Sequence, residues 1–495
     1  MKMAKRKRLL TAPVLAGFIL WLPGCGGGAG SGDADAADDA ADVAEGADVL
    51  PDPDAADADG QADPDADPDV APDPVGEDLP GPVMTVRLDP DDPHRFIAGG
   101  EPLFLVGTYP SIAALTGESP DLDTYYRNFI DRLEAGGLNY FRQVFTMGQP
   151  FGEYLVPYER TGPGDAADGR PRFDLERFDE GFFEHWRRVV EYAQDAGVVV
   201  QVTIFDTWHN KEWVVEDGGA PDRIWGMQYD FYSGGNNVSG IDTPNVNAWT
   251  NPDNPAFGIQ QDLVRRAVDT LGDLPNIVWE ICNENNYNED WEIRLADFLT
   301  AYEVEHGLDP HLVMPRDLPN HDGAGGKGND PVAVHAEIAA NYAQSRPLIA
   351  DNDGGGHVGP EGRRHKVWAA LTAGGTIDYF HFDMREQGVL DSAEVAEGMQ
   401  YLGLTRTFLN DFGVDLRGMG PADDRVSAGW CLAAPGERTI VYLMSGGSTT
   451  VDGLPASYDA WWFNPRDGSS MTAEAGPTFT ASDNEDWVLF ILATP

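Results

Sequence analysis

A few polar residues close the short apolar runs of this 495-residue chain, and they are of the kinds that move protons. The run NIVWEIC at 276–282 ends on Asn283 and Glu284, with Tyr287 close behind. PLIA at 347–350 ends on Asp351, Asn352 and Asp353, and VVVQVTIF at 198–205 ends on Asp206, followed by Trp208 and His209. LNYFRQVF at 138–145 carries Arg142, the short run at 332–335 ends on His335, and TIDYFHF at 376–382 carries His381. Two carboxyl groups facing across a cleft are what cleavage of a glycosidic bond requires. One protonates the leaving oxygen, and the other attacks the anomeric carbon or activates water. The candidates for these roles are Glu284 and either Asp353 or Asp351. Asn283, Arg142, Asp206, Trp208, His209, His335, His381 and Tyr287 are candidate substrate contacts, and Trp208, Tyr287 and Trp225 offer flat faces on which sugar rings stack. This chemistry requires neither a metal nor an organic cofactor. Asp351 and Asp353 near Gly354 also suit calcium, and His357 and His365 zinc, but no complete ligand set is visible.

The elements that position these residues follow from periodicity. Strands are expected over 102–109, 138–145, 198–205, 276–282, 311–314, 332–335, 347–350 and 376–382. Helices are expected over 121–135, 178–196, 257–271, 290–304, 364–371 and 395–412, where apolar residues recur three or four apart. Eight strands alternating with helices predict an α/β fold, a (β/α)8 TIM barrel over 83–424, whose reacting groups come from the C-terminal ends of strands. A doubly wound sheet is the alternative, but no Gly-rich phosphate turn follows the first strand. From about 425 to 495 the runs TIVYLM, AWWF and WVLFIL are separated by Gly, Pro, Asn and Ser. They predict a small antiparallel β-sandwich with Trp461 and Trp462 in its core and edge.

The segment Trp279-Glu280-Ile281-Cys282-Asn283-Glu284 resembles the strand-four motif of the cellulase-related clan of barrel glycosidases. The resemblance implies that Glu284 is the acid/base and Asn283 the ligand of the sugar 2-OH. Gly137-Leu138-Asn139-Tyr140-Phe141-Arg142 is similar to the clan's second strand, whose Arg supports the nucleophile. The order of elements looks most like apiosidase-like hydrolases. The tail from Ala433-Ala434-Pro435-Gly436 to Trp461-Trp462-Phe463-Asn464-Pro465-Arg466-Asp467-Gly468 resembles a C-terminal β domain named for collagen binding. The departure lies on strand seven. Arg346-Pro347 opens it as in the clan, but Asp351-Asn352-Asp353-Gly354 closes it where the clan has Glu. An Asp there sets the carboxyl separation, and that separation decides between retention at about 5–5.5 Å and inversion at about 6.5–9.5 Å. Glu337 and Glu361 rank below the two Asp residues for this role.

Residues 1–8 are basic and 9–22 largely apolar, too short a run for a comfortable membrane span, so 1–24 reads as an export signal. Leu22-Pro23-Gly24-Cys25 resembles a bacterial lipobox, which implies a lipid anchor on Cys25 and a place in the cell envelope, at the outer membrane or cell surface. Residues 25–82 form an Asp/Ala/Pro-rich tether. Its part from 31 to 80 holds 16 Asp and 2 Glu without Lys or Arg, too little apolar surface to offset chain entropy. With a formal charge of -50 the chain repels phosphate, which excludes nucleic acid as a partner. Cys282 and Cys431 are expected as buried free thiols. The expected function is a glycoside hydrolase acting on a polysaccharide or oligosaccharide, with retention as the expected stereochemistry. The rival is a non-catalytic carbohydrate- or protein-binding lipoprotein on a degenerate barrel.

Overall fold

In the computed structural model the described residues are 85–110, 122–144, 155–207, 227–320, 324–328, 330–352, 359–381 and 387–494. The segments expected as export signal and tether, with Cys25, Trp208, His209, Trp225 and Asp353, lie outside them, as do the side chains of Asp351 and His381. The chain divides into Met1–Val75 and Gly76–Pro495, and every described residue belongs to the second unit.

Three short antiparallel strands come first: β1 (Val86–Leu88), β2 (Phe96–Ala98) and β3 (Glu101–Leu103). A βα alternation then runs through β4 (Gly107–Pro110), α1 (Leu122–Ala135), β5 (Tyr140–Val144), the hairpin β6 (Tyr158–Asp165) and β7 (Pro171–Phe178), α2 (Glu180–Asp195) and β8 (Val199–Asp206). It continues through α3 (Val246–Trp249), α4 (Ala256–Leu271), β9 (Ile277–Asn283), α5 (Glu289–Glu305), β10 (Val313–Met314) and α6 (Pro331–Asn341). The last part comprises β11 (Ile349–Asp351), α7 (Pro360–Thr372), β12 (Thr376–His381), α8 (Gln387–Leu390) and α9 (Ala393–Asp411). Seven of these strands form one sheet in the order β10-β9-β8-β5-β4-β12-β11, parallel throughout.

Alternation along the sheet separates two environments. Phe141, Val200, Val202, Ile204, Ile277, Trp279 and Ile281 join the main core with the helices, whereas Tyr140, Val199, Val278 and Ile349 form a second cluster with Leu105 and Val86. A sheet buried on both faces reads as continuous apolar sequence, which is why 198–205 and 276–282 show little alternation.

The strand expected over 332–335 is instead part of helix α6. Asp330 caps it by accepting from the Ala333 N–H at 2.9 Å, and Pro331 stands in its first turn, a start signal that the short apolar run concealed. Between β10 and β11 the chain passes through Gly325–Gly328, held by side chains in place of a ladder. Glu337 Oε2 accepts from the Gly326 and Gly328 N–H groups at 2.9 and 3.0 Å, and Asn352 Nδ2 donates to the Gly326 and Gly328 carbonyls. Gly326 has φ +89, and a Cβ there would lie 2.5 Å from that of Ala350, so no larger residue fits. Glu337, a reserve candidate for the second carboxylate, is therefore occupied as a structural acceptor.

The C-terminal strands are β13 (Gly420–Pro421), β14 (Trp430–Ala434), β15 (Arg438–Leu443), β16 (Ser448–Thr450), β17 (Tyr458–Phe463), β18 (Ser470–Thr472), β19 (Thr478–Thr480) and β20 (Trp487–Ala493). Six form an antiparallel sheet, and β16 and β19 pair separately. Successive residues of β15 and β20 go to opposite faces. Ile440, Tyr442, Val488 and Phe490 share the main core with Trp368 of α7 and Phe408 of α9, while Val441, Leu443, Leu489 and Ile491 pack with Phe479 of β19. Arg364 of α7 reaches the buried Asp486 at 2.9 Å, and Tyr442 Oη donates to the same carboxylate at 3.0 Å. The sheet thus completes a core begun by α7 and α9. A chain ended at Met419 should expose Trp368 and Phe408 and yield insoluble or non-cooperatively melting protein, measured by soluble yield and thermal denaturation. A truncated chain melting like the full one would refute this. Cys282 and Cys431 are both buried free thiols.

Candidate active site

The C-terminal ends of β5, β8 and β9 gather Arg142, Asp206, Asn283 and Glu284, residues separated by up to 142 positions in sequence. Arg142 is 1% exposed and lies within a charged network rather than at the rim. Its Nε and Nη2 donate to Glu280 at 2.8 and 2.7 Å, and Nη2 also donates to Asn283 Oδ1 at 2.8 Å. Its guanidinium lies 5.4 Å from the centre of the Tyr109 ring. Glu280 also accepts from Gln201 Nε2 at 2.9 Å and from Thr203 Oγ1, and Tyr140 Oη donates to Gln201. A carboxylate in the sheet interior is tolerated because these donors replace its lost water.

This network orients Asn283. Arg142 can only donate, so it selects the amide oxygen; Asp206 Oδ1 accepts from Nδ2 at 2.7 Å and selects the nitrogen. The amide is held at both ends, with a second N–H on Nδ2 to offer a hydroxyl. Asp206, 1% exposed, supports Asn283 through this bond. Arg142, expected as a substrate contact, supports Asn283 from the other end.

Glu284 is the first residue beyond β9 and has φ 52, the left-handed region that a side chain with a Cβ seldom enters. Its carbonyl accepts from Thr207 Oγ1 at 2.5 Å, and Thr207 also donates to the Asn283 carbonyl at 3.1 Å. Glu284 is half-buried, and Tyr287, at 39% exposed, stands nearby on the same loop with its ring available to solvent. Backbone strain of this kind persists where neighbouring bonds over-determine it, and it is concentrated at working sites.

His335 is not in this group. On α6 its Nδ1 approaches the Ala369 carbonyl at 2.9 Å and its Nε2 the Asp423 carboxylate at 2.8 Å, and its ring stacks on Trp430 at 4.8 Å. It ties the helical layer to the C-terminal strands, and the expectation that it meets substrate is withdrawn. Glu361 pairs with His365 at the start of α7, with a largely exposed side chain. The backbone of Asp351 ends β11 and that of His381 ends β12.

Two residues of the site were not singled out from sequence. Glu280 sits inside an apolar strand, and a charge there demands a buried partner, a signal that was legible. Glu292, in the first turn of α5, is 2% exposed and accepts from Asn285 Nδ2 at 2.8 Å. Burial, with Glu280 and Glu289 adding repulsion, pushes its carboxyl up to about 8. The folded protein therefore binds this proton more tightly than the unfolded chain. Stability carries no penalty from Glu292 below about pH 4.5, falls as pH rises toward about 8, and is flat beyond. Glu292→Gln should remove that decline, a difference on the order of 4 kcal/mol at pH 8. Denaturant midpoints at pH 4.5 and 8 read it directly, and parallel pH profiles for the two proteins would contradict it.

No protein-family model matches the sequence, and no curated protein matches it. Solved structures do. One, described as "Glycoside hydrolase", is 12% identical, with 83% of this chain and 97% of that one covered and a TM-score of 0.55. Another, a glycoside hydrolase family 5 protein from Bacteroides vulgatus ATCC 8482, is 13% identical, with 83% and 94% covered and a TM-score of 0.56. At these identities the likeness is one of fold.

Proposed function

We propose that this protein is a glycoside hydrolase that cleaves O-glycosidic bonds in a polysaccharide or oligosaccharide. Glu284 is the acid/base, Asn283 binds the sugar hydroxyl beside the scissile bond, and Asp353 or Asp351 is the nucleophile of a retaining two-carboxylate reaction. The observation that carries the reading is the amide of Asn283, oriented from both ends by Arg142 and Asp206 directly before a strained, half-buried Glu284. The fold shared with glycoside hydrolases supports it. Closure of the seven parallel strands into a (β/α)8 barrel belongs to the same proposal, with Gly325–Gly328 lying along the sixth stave. So do the apiosidase-like subtype and the kinship of the C-terminal strands to the domain named for collagen binding.

The test is reducing-sugar release from mannan, xylan, β-glucan, arabinan and pectic polysaccharides, with the anomer of the first product read by proton NMR. Turnover with retention that is lost in either Asp353→Asn or Asp351→Asn supports the assignment. An inverted first product sinks the retaining mechanism, and absence of turnover on every glycan leaves the binding-protein reading. A lipid anchor on Cys25 and residence in the cell envelope are part of the proposal too. Labelled palmitate should enter the wild type and not Cys25→Ser, and label in neither would refute the anchor.

A further inference from the structure

We propose that Asn285 and Glu292 are positioning residues that lock the turn bearing the Glu284 carboxyl onto the first turn of α5. The inference rests on Glu284 being the proton donor.

The turn is held from two sides. On one, Thr207 Oγ1 donates to the Asn283 and Glu284 carbonyls, and the Asn286 N–H donates to the Glu284 carbonyl at 3.0 Å. On the other, every polar atom of the Asn285 side chain is engaged. Its Oδ1 accepts from the Tyr287 and Asn288 N–H groups, both at 3.2 Å. Its Nδ2 donates to the Asn288 carbonyl at 3.0 Å and to Glu292 Oε2 at 2.8 Å. Asn288 is itself fixed, capping α5 through the Trp291 N–H and donating from Nδ2 to the Thr250 carbonyl at 2.8 Å. Glu292 is the buried anchor at the end of this chain of contacts.

Its protonation state follows from its surroundings. Among the described residues Oε1 is buried without a hydrogen-bond partner, whereas Oε2 serves as the acceptor for Asn285. Glu280 faces it from β9 and Glu289 lies on its own helix, and burial disfavours a third negative charge among them. A neutral acid accepts from Asn285 through Oε2 without adding that charge, and a Gln side chain reproduces its shape and charge.

A left-handed residue with a Cβ is held against a steric cost. Without the Asn285–Glu292 bond the turn loses its tie to the buried first turn of α5 and relaxes toward right-handed φ, carrying the carboxyl off line. Misplacement by about 1 Å is enough to slow a reaction about 100-fold while the sugar still binds.

The experiment uses the full chain and phenyl β-D-glucoside, β-D-mannoside, β-D-xyloside and phenyl α-L-arabinofuranoside, taking the one that the wild type cleaves fastest. Phenol leaves poorly, so the rate reports the position of the proton donor. Glu292→Leu and Asn285→Ala should lower kcat about 30- to 100-fold with KM within threefold, and Glu292→Gln should keep kcat within threefold of wild type. Thermal melts identify any variant that does not fold, and should Glu292→Leu be one, Asn285→Ala carries the test. Wild-type kcat in folded Asn285→Ala, or Glu292→Gln as slow as Glu292→Leu, overturns the inference. Glu284→Gln separates the two readings. If it is inactive while Asn285→Ala is unaffected, only the positioning role falls; if it is fully active, the proton-donor assignment falls and this inference with it.

Discussion

Glu280→Ala should destabilise the protein by about 3–5 kcal/mol, the cost of stranding a buried guanidinium. Arg142 would lose the partner it grips through two nitrogens, and Gln201 and Thr203 would lose a shared acceptor. Both charges are almost wholly removed from water, with side-chain exposures of 1% and 2%, so solvent cannot compensate. Replacing both, as Arg142→Met with Glu280→Met, removes the uncompensated charge and should cost far less than the sum of the single changes. The double variant should nonetheless lose activity, because Asn283 would lose the donor that fixes its oxygen. Urea midpoints and kcat/KM on the same preparations separate the two effects. Additive stability losses, or a double variant of full activity, would contradict this account.

The second large effect is a dependence on leaving group in Glu284→Gln. A proton donor matters most where the departing oxygen is basic, so the variant should lose about 10²–10⁴-fold in kcat/KM on a disaccharide or alkyl glycoside. A 2,4-dinitrophenyl glycoside of the same sugar expels a stable phenolate without protonation, and its rate should change little. Plotting log kcat/KM against leaving-group pKa should give a steeper negative slope for the variant. Equal losses across the series would show that Glu284 acts otherwise than as the acid.

Much of the polypeptide was readable one segment at a time. The strand ends at Asn283 and Asp206 agree with the apolar runs before them, because a strand covered on both faces reads as continuous apolar sequence up to its closing polar residue. Helices α1, α4 and α9 begin and end within a few residues of their expected bounds, since 3.6-residue periodicity is a local property. The hairpin β6–β7 was not anticipated. Its apolar positions Tyr158, Phe173 and Leu175 are spaced irregularly and make sense only against the aromatic rings of Phe231 and Tyr232. His335 was misread for a related reason: four residues cannot display a period, and the Asp330-Pro331 start signal outweighs them.

The site divides along the same line. That Asn283 and Glu284 close a buried strand is local information, carried by the order of residues. Which groups face one another is not local. Arg142 meets Glu280 across 138 positions and Asn283 across 141, and that pairing turned an expected sugar contact into the device that aims an amide. The reason is energetic. Periodicity and turn chemistry act over a few residues, whereas satisfaction of a buried charge is a requirement on the assembled interior and is met by whichever strands the topology makes neighbours.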